Sequence, residues 1–355
     1  MDKPHMAAPR HIAVVGAGIA GLSCASALQH AGWQVSVFDA AGTVAGRMAT
    51  RRAGDWQCDH GAQYFTARSA AFRAEVARWQ LAGVAALWTP RLCLLAADGS
   101  AHAPAGPVER FVGMPRMNAP ARWLASGLPL HLQTTITALQ RGVAGWQLQT
   151  RQLGLLEAVY DGVVLAMPAP QALPLLQAHS RRLASLAAAS VMHPCWAVMA
   201  RYAQPLALPF EAAFVNHGPL RWVARNNSKP GRHGQESWLL HAQSDWSEAH
   251  LDWPADQVAK ALLHAFAQLG GAAPLAWSTQ CWQHAAPAAG HDELFAWHER
   301  SRLGLCGDWL QAGTVEGAWL SGRALAAHIA AASPSSMPKP DLAHGVPHPV
   351  LPVLV

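Results

Sequence analysis

A glycine-rich segment near the start of the chain has residue types and a spacing that suit a dinucleotide. Gly16, Gly18 and Gly21 form the pattern G-x-G-x-x-G, and Asp39 follows at about the distance at which this pattern places an acid. The first glycine permits a tight turn, the second lets the backbone approach a pyrophosphate, and the third allows a helix to pack closely on a strand. The carboxylate can accept hydrogen bonds from ribose hydroxyls. We therefore predict that residues 12–39 bind a dinucleotide.

The segments that follow favour FAD over NAD as that dinucleotide. Residues 41–48 resemble the second glycine/arginine motif of flavoproteins in the amine oxidase superfamily, and residues 59–66 resemble the segment that runs past their flavin. By this resemblance Arg47 contacts the FAD pyrophosphate, a role that suits a guanidinium because its donors can fork onto phosphate oxygens. One departure is visible, since Ala45 precedes Gly46 where the superfamily usually has two adjacent glycines.

An independent match lies near the end of the chain, where residues 307–322 resemble the last FAD motif of the superfamily. By the resemblance, Asp308 binds the ribityl chain, and a helix that starts near Gly317 directs its N-terminus at the flavin. That end of a helix favours negative charge and would stabilise an anionic reduced flavin. FAD is expected to be non-covalent, because no Cys or His lies in a recognised attachment motif. The residues expected to contact FAD are Gly16, Gly18, Gly21, Asp39, Arg47, Gly61, Ala62, Ile136, Asp308, Val315 and Gly317.

Within the superfamily, several segments resemble the renalase family, and especially its bacterial members. These segments are residues 46–50, 59–66, 222–231, 236–242 and 245–247. The stretch from 222 to 241 discriminates, because amine oxidases proper do not share it. Renalases are FAD enzymes that oxidise off-pathway dihydro isomers of NAD(P)H to NAD(P)+ and pass the electrons to oxygen, forming hydrogen peroxide. The resemblance implies the same reaction here, with a dihydronicotinamide dinucleotide as substrate and molecular oxygen as electron acceptor.

Hydride transfer from a dihydropyridine ring to flavin N5 is driven by aromatisation, so the protein has to orient two rings and exclude water. We therefore expect no catalytic acid or base. The first group of expected substrate contacts is Gln63, Tyr64, Phe65 and Thr66 on the flavin-facing segment, with Thr314, which directly precedes Val315 and is expected to face the same cavity. The second group is Trp222, Arg225 and His241. Each of these three also has a structural interpretation, as a packing aromatic, a donor to loop carbonyls, or a strand residue with its hydrogen bonds satisfied.

An amine or amino-acid oxidase of the same superfamily is the first alternative. Such enzymes often place an aromatic cage in front of the flavin, and many use a lysine–water pair near N5. Here the tyrosines are Tyr64, Tyr160 and Tyr202, and the only lysine near the motifs is Lys229 in a Pro/Gly loop. A flavin-binding redox sensor without turnover also stays open. A plain NAD dehydrogenase would not need residues 307–322, and a carotenoid-type desaturase would need a longer chain with a membrane-docking face.

The composition excludes several classes of protein. Hydrophobic residues make up 51% and charged residues 13% of the 355 residues, which supplies a packed core and excludes a disordered chain. The net charge is +5 but no run of basic residues appears, so we expect no nucleic acid. The 19 His show no metal-ligand spacing such as H-E-x-x-H, so no metal is expected. Six Cys without CxxC pairs, and no stretch as long as a spanning helix, indicate a cytoplasmic protein outside the membrane.

These motifs need a framework that brings the two ends of the chain together. Residues 12–15, a helix from residue 22 and residues 35–38 form a predicted βαβ unit, which is the unit of a parallel sheet. A loop is predicted over 103–120, because four prolines and two glycines lie there. Further helices are predicted over 72–87, 170–186, 257–269 and 318–331.

The predicted fold class is α/β, with a Rossmann-type FAD-binding domain and a second, mixed-sheet substrate domain, resembling p-hydroxybenzoate hydroxylase. The FAD domain is discontinuous, because the motifs that bind FAD lie at both ends of the chain. We assign to it residues 10–75, 116–170 and 290–332. The substrate domain takes residues 76–115 and 171–289, and residues 333–355 are expected to be a disordered tail.

Overall fold

The computed structural model describes residues 10–98, 100–104 and 106–331, which form helices and strands in mixed order. The expected tail, residues 333–355, lies outside the described residues. The strands are β1 (His11–Val15), β2 (Gln34–Phe38), β3 (Thr50–Ala53), β4 (Trp56–Asp59), β5 (Ala85–Leu87), β6 (Leu92–Leu95), β7 (Ala101–His102), β8 (Phe111–Gly113), β9 (Leu130–His131), β10 (Ile136–Arg141), β11 (Trp146–Thr150), β12 (Gly154–Leu155), β13 (Gly162–Leu165), β14 (Met192–Tyr202), β15 (Ala212–Val215), β16 (Leu220–Arg225), β17 (Glu236–Ala242), β18 (Ala276–Pro287), β19 (Ala296–His298) and β20 (Leu303–Leu305). The helices are α1 (Ile19–His30), α2 (Ala70–Leu81), α3 (Ala119–Leu124), α4 (Ala169–Leu176), α5 (Arg181–Ala188), α6 (Ser244–Ala249), α7 (Ala255–Gln268) and α8 (Val315–Ala331).

A six-stranded sheet forms the first half of the molecule, in the order β19-β20-β13-β1-β2-β9. Every neighbouring pair is parallel except β19 with β20. In the central strand β1, four consecutive apolar residues, Ile12 to Val15, are buried, as in a parallel strand covered on both faces. α1 and α8 pack together over one face, where a Cβ on Gly322 would lie 2.1 Å from the Ala20 carbonyl oxygen. The predicted α/β fold with a Rossmann-type domain is confirmed.

The opposite face of this sheet is covered by α4 and α5, which occupy the stretch predicted as one helix over 170–186. The helix breaks before Ser180, whose hydroxyl caps α5 by accepting a hydrogen bond from the Leu183 N–H at 3.4 Å. Leu176 and Leu183 are fully buried in the same apolar cluster as β13. Both helices therefore pack on the six-stranded sheet, although the sequence-based boundary placed almost all of them in the substrate domain.

A seven-stranded sheet forms the second half, in the order β18-β14-β17-β16-β15-β6-β7. Its strands are antiparallel except β15 with β6. α7 packs on one face through Val258, Leu262 and Phe266, which are spaced four residues apart and so share one side of the helix. The Trp238 ring is fully buried against Phe266, with centroids 5.3 Å apart. On the opposite face, Trp222 of β16 and His241 of β17 line a cavity.

Two elements differ from the sequence-based prediction. The helix predicted over 72–87 ends at Leu81, because Gly83 adopts a left-handed φ of +69° and the chain then continues as β5. β5 pairs antiparallel with β8, which lies inside the stretch 103–120 predicted as a loop. The prolines of that stretch flank β8 without interrupting it, so its N–H groups remain able to pair.

Candidate active site

A cavity of about 970 Å³ is lined by residues from both halves of the molecule. On one side lie the glycine loop after β1, the end of β2 and the start of α8. On the other side lie residues of β14, β15, β16, β17 and β18. The volume is near the upper end of the usual range for small-molecule sites. The fold thus brings motifs from the two ends of the chain to one ligand site.

The glycine loop presents backbone groups to this cavity. Gly16 turns with a φ of +114°, and a Cβ on Gly18 would have no atom of the chain within 4 Å. α1 begins at Ile19 without a side-chain cap, so N–H groups of its first turn and its positive dipole end are available there. A Cβ on Gly21 would lie 1.9 Å from the Gly16 carbonyl oxygen, so glycine is needed for this close packing. The loop fits an anionic group such as a pyrophosphate.

Asp39 lines the cavity at the end of β2. Its Oδ2 accepts a hydrogen bond from the Ala17 N–H at 2.6 Å, and its Oδ1 accepts one from the Ala41 N–H at 2.8 Å. These two bonds fix the orientation of the carboxylate. Each oxygen keeps further acceptor capacity, so the same carboxylate can also accept hydrogen bonds from a ribose.

Two residues expected to hold different parts of FAD form an ion pair with each other. Arg47 Nη2 donates to Asp308 Oδ1, and Arg47 Nη1 donates to the Ala285 carbonyl oxygen at 3.0 Å, so Arg47 connects the two halves. All three residues line the cavity. Ala45, just before this turn, has a φ of +108°, in the left-handed region that favours glycine. The residue that departs from the superfamily motif is therefore held in a strained conformation.

Most residues predicted to contact FAD reach the cavity, and two support it from behind. Gly21 packs α1 on the loop, and the Gly317 N–H donates to Thr314 Oγ1 at 2.9 Å at the start of α8. Thr314 therefore caps that helix while it also lines the cavity. The predicted FAD contacts that line the cavity are Gly16, Gly18, Asp39, Arg47, Gly61, Ala62, Ile136, Asp308 and Val315.

The wall opposite the glycine loop combines aromatic rings with a neutral imidazole. The Trp222 ring centroid is 5.7 Å from that of Tyr64 and 4.6 Å from that of Phe214. The imidazole Nε2 of His241 donates to the His60 carbonyl oxygen at 3.1 Å. Burial lowers the pKa of His241 to about 4, so this side chain is neutral at pH 7. Trp222 and His241 can therefore hold a flat ring between uncharged side chains.

Phe65, Thr66 and Arg225 do not line the cavity, unlike the other five residues expected to contact the substrate. The backbone of Phe65 pairs with Phe111, and its ring packs in the core against aromatic residues of α2. Arg225 Nε donates to Glu236 Oε1 at 2.8 Å, so its charge is engaged in an ion pair. The resemblance located the flavin-facing segment but could not give the direction of each side chain along it.

Sequence patterns did not indicate the buried ionic cluster that lies behind the flavin-facing segment. Asp59 Oδ2 accepts hydrogen bonds from Lys229 Nζ at 3.2 Å and from Arg232 Nη2 at 2.7 Å. The side chains of Asp59 and Lys229 have no exposed surface, and that of Arg232 is 1% exposed. Lys229 Nζ also donates to Gln63 Oε1 at 3.0 Å. Because Gln63 lines the cavity, the cluster fixes one of its polar groups.

The opposite charges in this cluster counteract the effect of burial on one another's pKa. Burial alone would raise the pKa of Asp59, but Lys229, Arg232 and a hydrogen bond from Thr50 together bring it well below its usual range. Burial lowers the pKa of Lys229, and the carboxylate of Asp59 opposes that effect. Asp59 belongs to a recognised motif and both cations lie in the segment S-K-P-G-R, but the 170 residues between Asp59 and Lys229 conceal the contact in the sequence.

The described ranges lack two features, a metal cluster and a membrane-spanning helix. No group of three or more His, Cys, Asp or Glu in those ranges is arranged to hold a metal ion. No helix in the same ranges is long and apolar enough to cross a membrane.

Two family models match the chain. Residues 14–78 match an NAD(P)-binding Rossmann-like domain, and residues 89–330 match the flavin containing amine oxidoreductase family. The chain belongs to the flavin containing amine oxidoreductase family. This assignment makes it an oxidoreductase with FAD as cofactor, and it confirms the cofactor predicted from the three motifs.

Curated relatives share short segments with this flavoprotein. L-amino acid oxidase Cdc18 from Crotalus durissus cumanensis is 49% identical over 53 residues, which are 15% of this chain and 11% of the relative. An L-amino-acid oxidase from Siganus canaliculatus is 38% identical over 72 residues, 20% of this chain and 14% of the relative. The matched segments thus span only about a tenth of the length of the curated relatives.

Solved structures match the fold over nearly the whole chain. A proposed protoporphyrinogen oxidase from Exiguobacterium sp. 255-15 has a TM-score of 0.75 and 13% identity, covering 92% of this flavoprotein and all of that chain. Cyclohexylamine oxidase from Brevibacterium oxydans has a TM-score of 0.71 and 14% identity, covering 91% and 99% of the two chains. A putrescine oxidase variant has a TM-score of 0.70 and 14% identity, covering 92% of this flavoprotein and 99% of that chain. At such identities the likeness shows the shared fold.

Proposed function

We propose that this flavoprotein takes a hydride from a dihydro isomer of NAD(P)H and passes the electrons to molecular oxygen, giving NAD(P)+ and hydrogen peroxide. The observation that carries the proposal is the cavity wall formed by the seven-stranded sheet. Among the described residues, this wall offers Trp222 near Tyr64 and the neutral His241, and it contains no carboxylate or lysine. Such a wall suits a flat ring, which it can orient without removing a proton.

The proposed reaction does not need a residue on this wall to accept a proton from the substrate. Loss of a hydride from a dihydropyridine leaves an aromatic pyridinium, so the ring releases no proton, and the reduction of oxygen to hydrogen peroxide takes up one proton from solvent. Burial raises the pKa of Cys195 to about 12 and lowers that of His241 to about 4. Neither group changes its protonation state near pH 7, so neither is suited to act as a general base or acid there. Orientation and exclusion of water are the contributions that remain.

Each part of the cofactor has residues of fitting chemistry in the cavity. When bound, FAD supplies the hydride acceptor and the route by which electrons reach oxygen. The N–H groups at the start of α1, beside Gly18, would hold the pyrophosphate, Asp39 would hold the ribose, and Asp308 would hold the ribityl chain. The side chain of Gln63, fixed by Lys229, would present a constant surface to the ring system.

An amine or amino-acid oxidase is a second candidate, and two observations favour it. The segments shared with L-amino-acid oxidases are the first, although they cover a small part of those proteins. The second is Lys229, which is buried beside Gln63 instead of lying in an open loop. However, Lys229 does not itself line the cavity. This position favours a role in fixing Gln63 over a role in removing a proton from an amine.

The test is aerobic turnover by the purified yellow protein. It is mixed separately with 2- and 6-dihydro isomers of NAD(P)H, with ordinary NADH, with a panel of amines and with L-amino acids. We expect NAD(P)+ and hydrogen peroxide in equal amounts from a 2- or 6-dihydro isomer, with ordinary NADH inert. Turnover of amines or L-amino acids alone would replace the proposal by the oxidase alternative. Retention of FAD without reduction by any compound would indicate a redox sensor.

A further inference from the structure

A register shift in β16 changes the direction of one charged side chain. Leu220 pairs with Ala242, whereas Trp222 pairs with His241, so two steps along β16 match one step along β17. In a regular strand, residues two apart share a face. Here Leu220 packs in the cluster under α7, whereas Trp222 lies on the cavity side. Arg221 is therefore the extra residue of a β-bulge.

The bulge brings two consecutive side chains to the cavity. Arg221 and Trp222 both line it, which regular alternation along β16 would not allow. Bulges occur often beside active sites, where they redirect a side chain. The guanidinium of Arg221 lies close enough to affect its neighbours, since its charge opposes the burial that raises the pKa of Cys195 and adds to the burial that lowers the pKa of His241.

Among the charged residues that line the cavity, Arg221 is the one whose charge is not engaged by another residue of the described chain, so it can interact with a ligand. The other charged lining residues have partners: Arg47 pairs with Asp308, and Asp39 accepts two backbone N–H groups. Within the described part of the chain, the Arg221 side chain makes no hydrogen bond or ion pair, and it is exposed at the cavity. No carboxylate of the seven-stranded sheet lines the cavity in the described residues. This side of the cavity is therefore positive.

We infer that Arg221 binds the anionic group of the substrate, a phosphate of a dinucleotide or the carboxylate of an amino acid. For the dinucleotide, the inference rests on the function proposed above. A guanidinium suits either anion, because its planar donors can form two parallel hydrogen bonds with two oxygens. Trp222 would hold the planar part of the substrate while the neighbouring Arg221 holds its charged part. The bulge thus couples ring orientation to recognition of charge.

The test compares substrates with and without the anionic group. One pair is a dihydro isomer of NADH and the corresponding dihydronicotinamide riboside, which lacks phosphate. The other pair is an L-amino acid and the amine that its decarboxylation would give. The proteins are the FAD-loaded wild type, Arg221→Ala, Arg221→Lys, and Arg300→Ala as a control for loss of an exposed charge. Arg300 is exposed in the turn between β19 and β20 and does not line the cavity. The readouts are kcat/KM and, independently of turnover, the Kd of NADP+ from the perturbation of the flavin spectrum.

We expect Arg221→Ala to lower kcat/KM for the anionic member of one pair by about 10- to 100-fold, the range for loss of a charged hydrogen bond. The neutral member should change by less than about twofold, Arg221→Lys should recover part of the loss, and Arg300→Ala should match the wild type. The Kd of NADP+ should rise in parallel if the dinucleotide is the substrate. A loss confined to the L-amino acid would support Arg221 while contradicting the proposed function. Equal losses for both members, unchanged values, or no anion-dependent binding by the wild type would overturn the inference.

Discussion

The two sides of the cavity present different kinds of chemical group to a ligand. The wall at the glycine loop offers backbone N–H groups, set by the turn at Gly16 and the uncapped start of α1, beside the side chains of Asp39 and Asp308. The opposite wall offers side chains of the seven-stranded sheet, and the bulge at Arg221 decides which of them line the cavity. A site built from backbone groups is therefore indicated by the local spacing of residues in the sequence, whereas a site built from strand side chains depends on strand register. Substitutions on the two sides should therefore have different effects.

The largest expected effect follows from comparing two carboxylates, one buried and one in the cavity. Asp59→Ala would leave Lys229 and Arg232 as unpaired buried cations, so we expect it to lower the free energy of unfolding by about 3–5 kcal/mol. Asp308→Asn keeps an acceptor oxygen for Arg47, whose side chain is 28% exposed, so the loss should be smaller, about 1 kcal/mol. Asp308→Asn should weaken FAD binding instead. Urea unfolding measures the stability of the two variants, and FAD titration measures their affinity for FAD. Equal losses of stability would contradict the assignment of Asp59 to the buried cluster and of Asp308 to the cofactor site.

The second prediction separates two glycines of one loop. Gly21→Ala places a Cβ 1.9 Å from the Gly16 carbonyl oxygen, so α1 has to shift, and we expect a loss of about 2–3 kcal/mol in stability together with loss of FAD. Gly18→Ala meets no atom of the chain within 4 Å, so the stability without FAD should stay within about 0.5 kcal/mol. Its Cβ points into open space beside the cavity, so FAD affinity should still fall. Unfolding and FAD titration of both variants provide the check, and equal destabilisation by the two would refute it.

Acidification should destabilise the substrate side first. Burial lowers the pKa of His60 and of His241 from 6.5 to about 4. The unfolded chain therefore binds protons that the folded chain does not, and each imidazole should lower the free energy of unfolding by about 2–3 kcal/mol as the pH drops from 6.5 to 4. Asp59 has a folded pKa below its unfolded value of 3.8, so its stabilising effect is lost only below about pH 4.

Denaturant unfolding at several pH values between 7 and 4 measures this effect. His241→Gln keeps an N–H donor for the His60 carbonyl oxygen but cannot titrate, so it should reduce the dependence on pH. Arg300→Ala is the matched control and should retain the wild-type dependence, because Arg300 is exposed and lies outside the cavity. A wild type whose stability is constant across this range would show that neither imidazole is held neutral by the fold.

The smallest expected effect concerns the one departure from the superfamily motif. Ala45 has a φ of +108°, which glycine adopts without strain. Ala45→Gly should relieve that strain, although the greater freedom of glycine in the unfolded chain offsets part of the gain. We expect a net stabilisation of up to about 1 kcal/mol, with FAD affinity unchanged or slightly higher. Thermal unfolding of the two proteins decides the sign, and a lower Tm for Ala45→Gly would contradict the prediction.

Much of the FAD side could be predicted because its signals are local. The three glycines of the loop and Asp39 lie within one βαβ unit, and their spacing alone indicates a dinucleotide. The pairing of β5 with β8 and the break between α4 and α5 were missed, because each depends on packing partners distant in the sequence.

The substrate side was harder to predict for the same reason. Arg225 was expected at the cavity and Arg221 was not, although both lie on β16. One inserted residue reverses the direction of the side chains along a strand, and nothing in the local pattern of β16 reports it. Lys229 lies in a loop, as predicted, but its burial was not predicted, since its partner Asp59 lies 170 residues away.

The most direct test of the proposed function is anaerobic mixing of the FAD-loaded protein with single substrates while the flavin absorbance is followed. One 2- or 6-dihydro isomer of NAD(P)H should bleach the flavin rapidly and leave stoichiometric NAD(P)+, while ordinary NADH and the amines leave the spectrum unchanged. Bleaching by an amine or an L-amino acid, with every dihydro isomer inert, would contradict the proposed function and assign the cavity to the oxidase alternative.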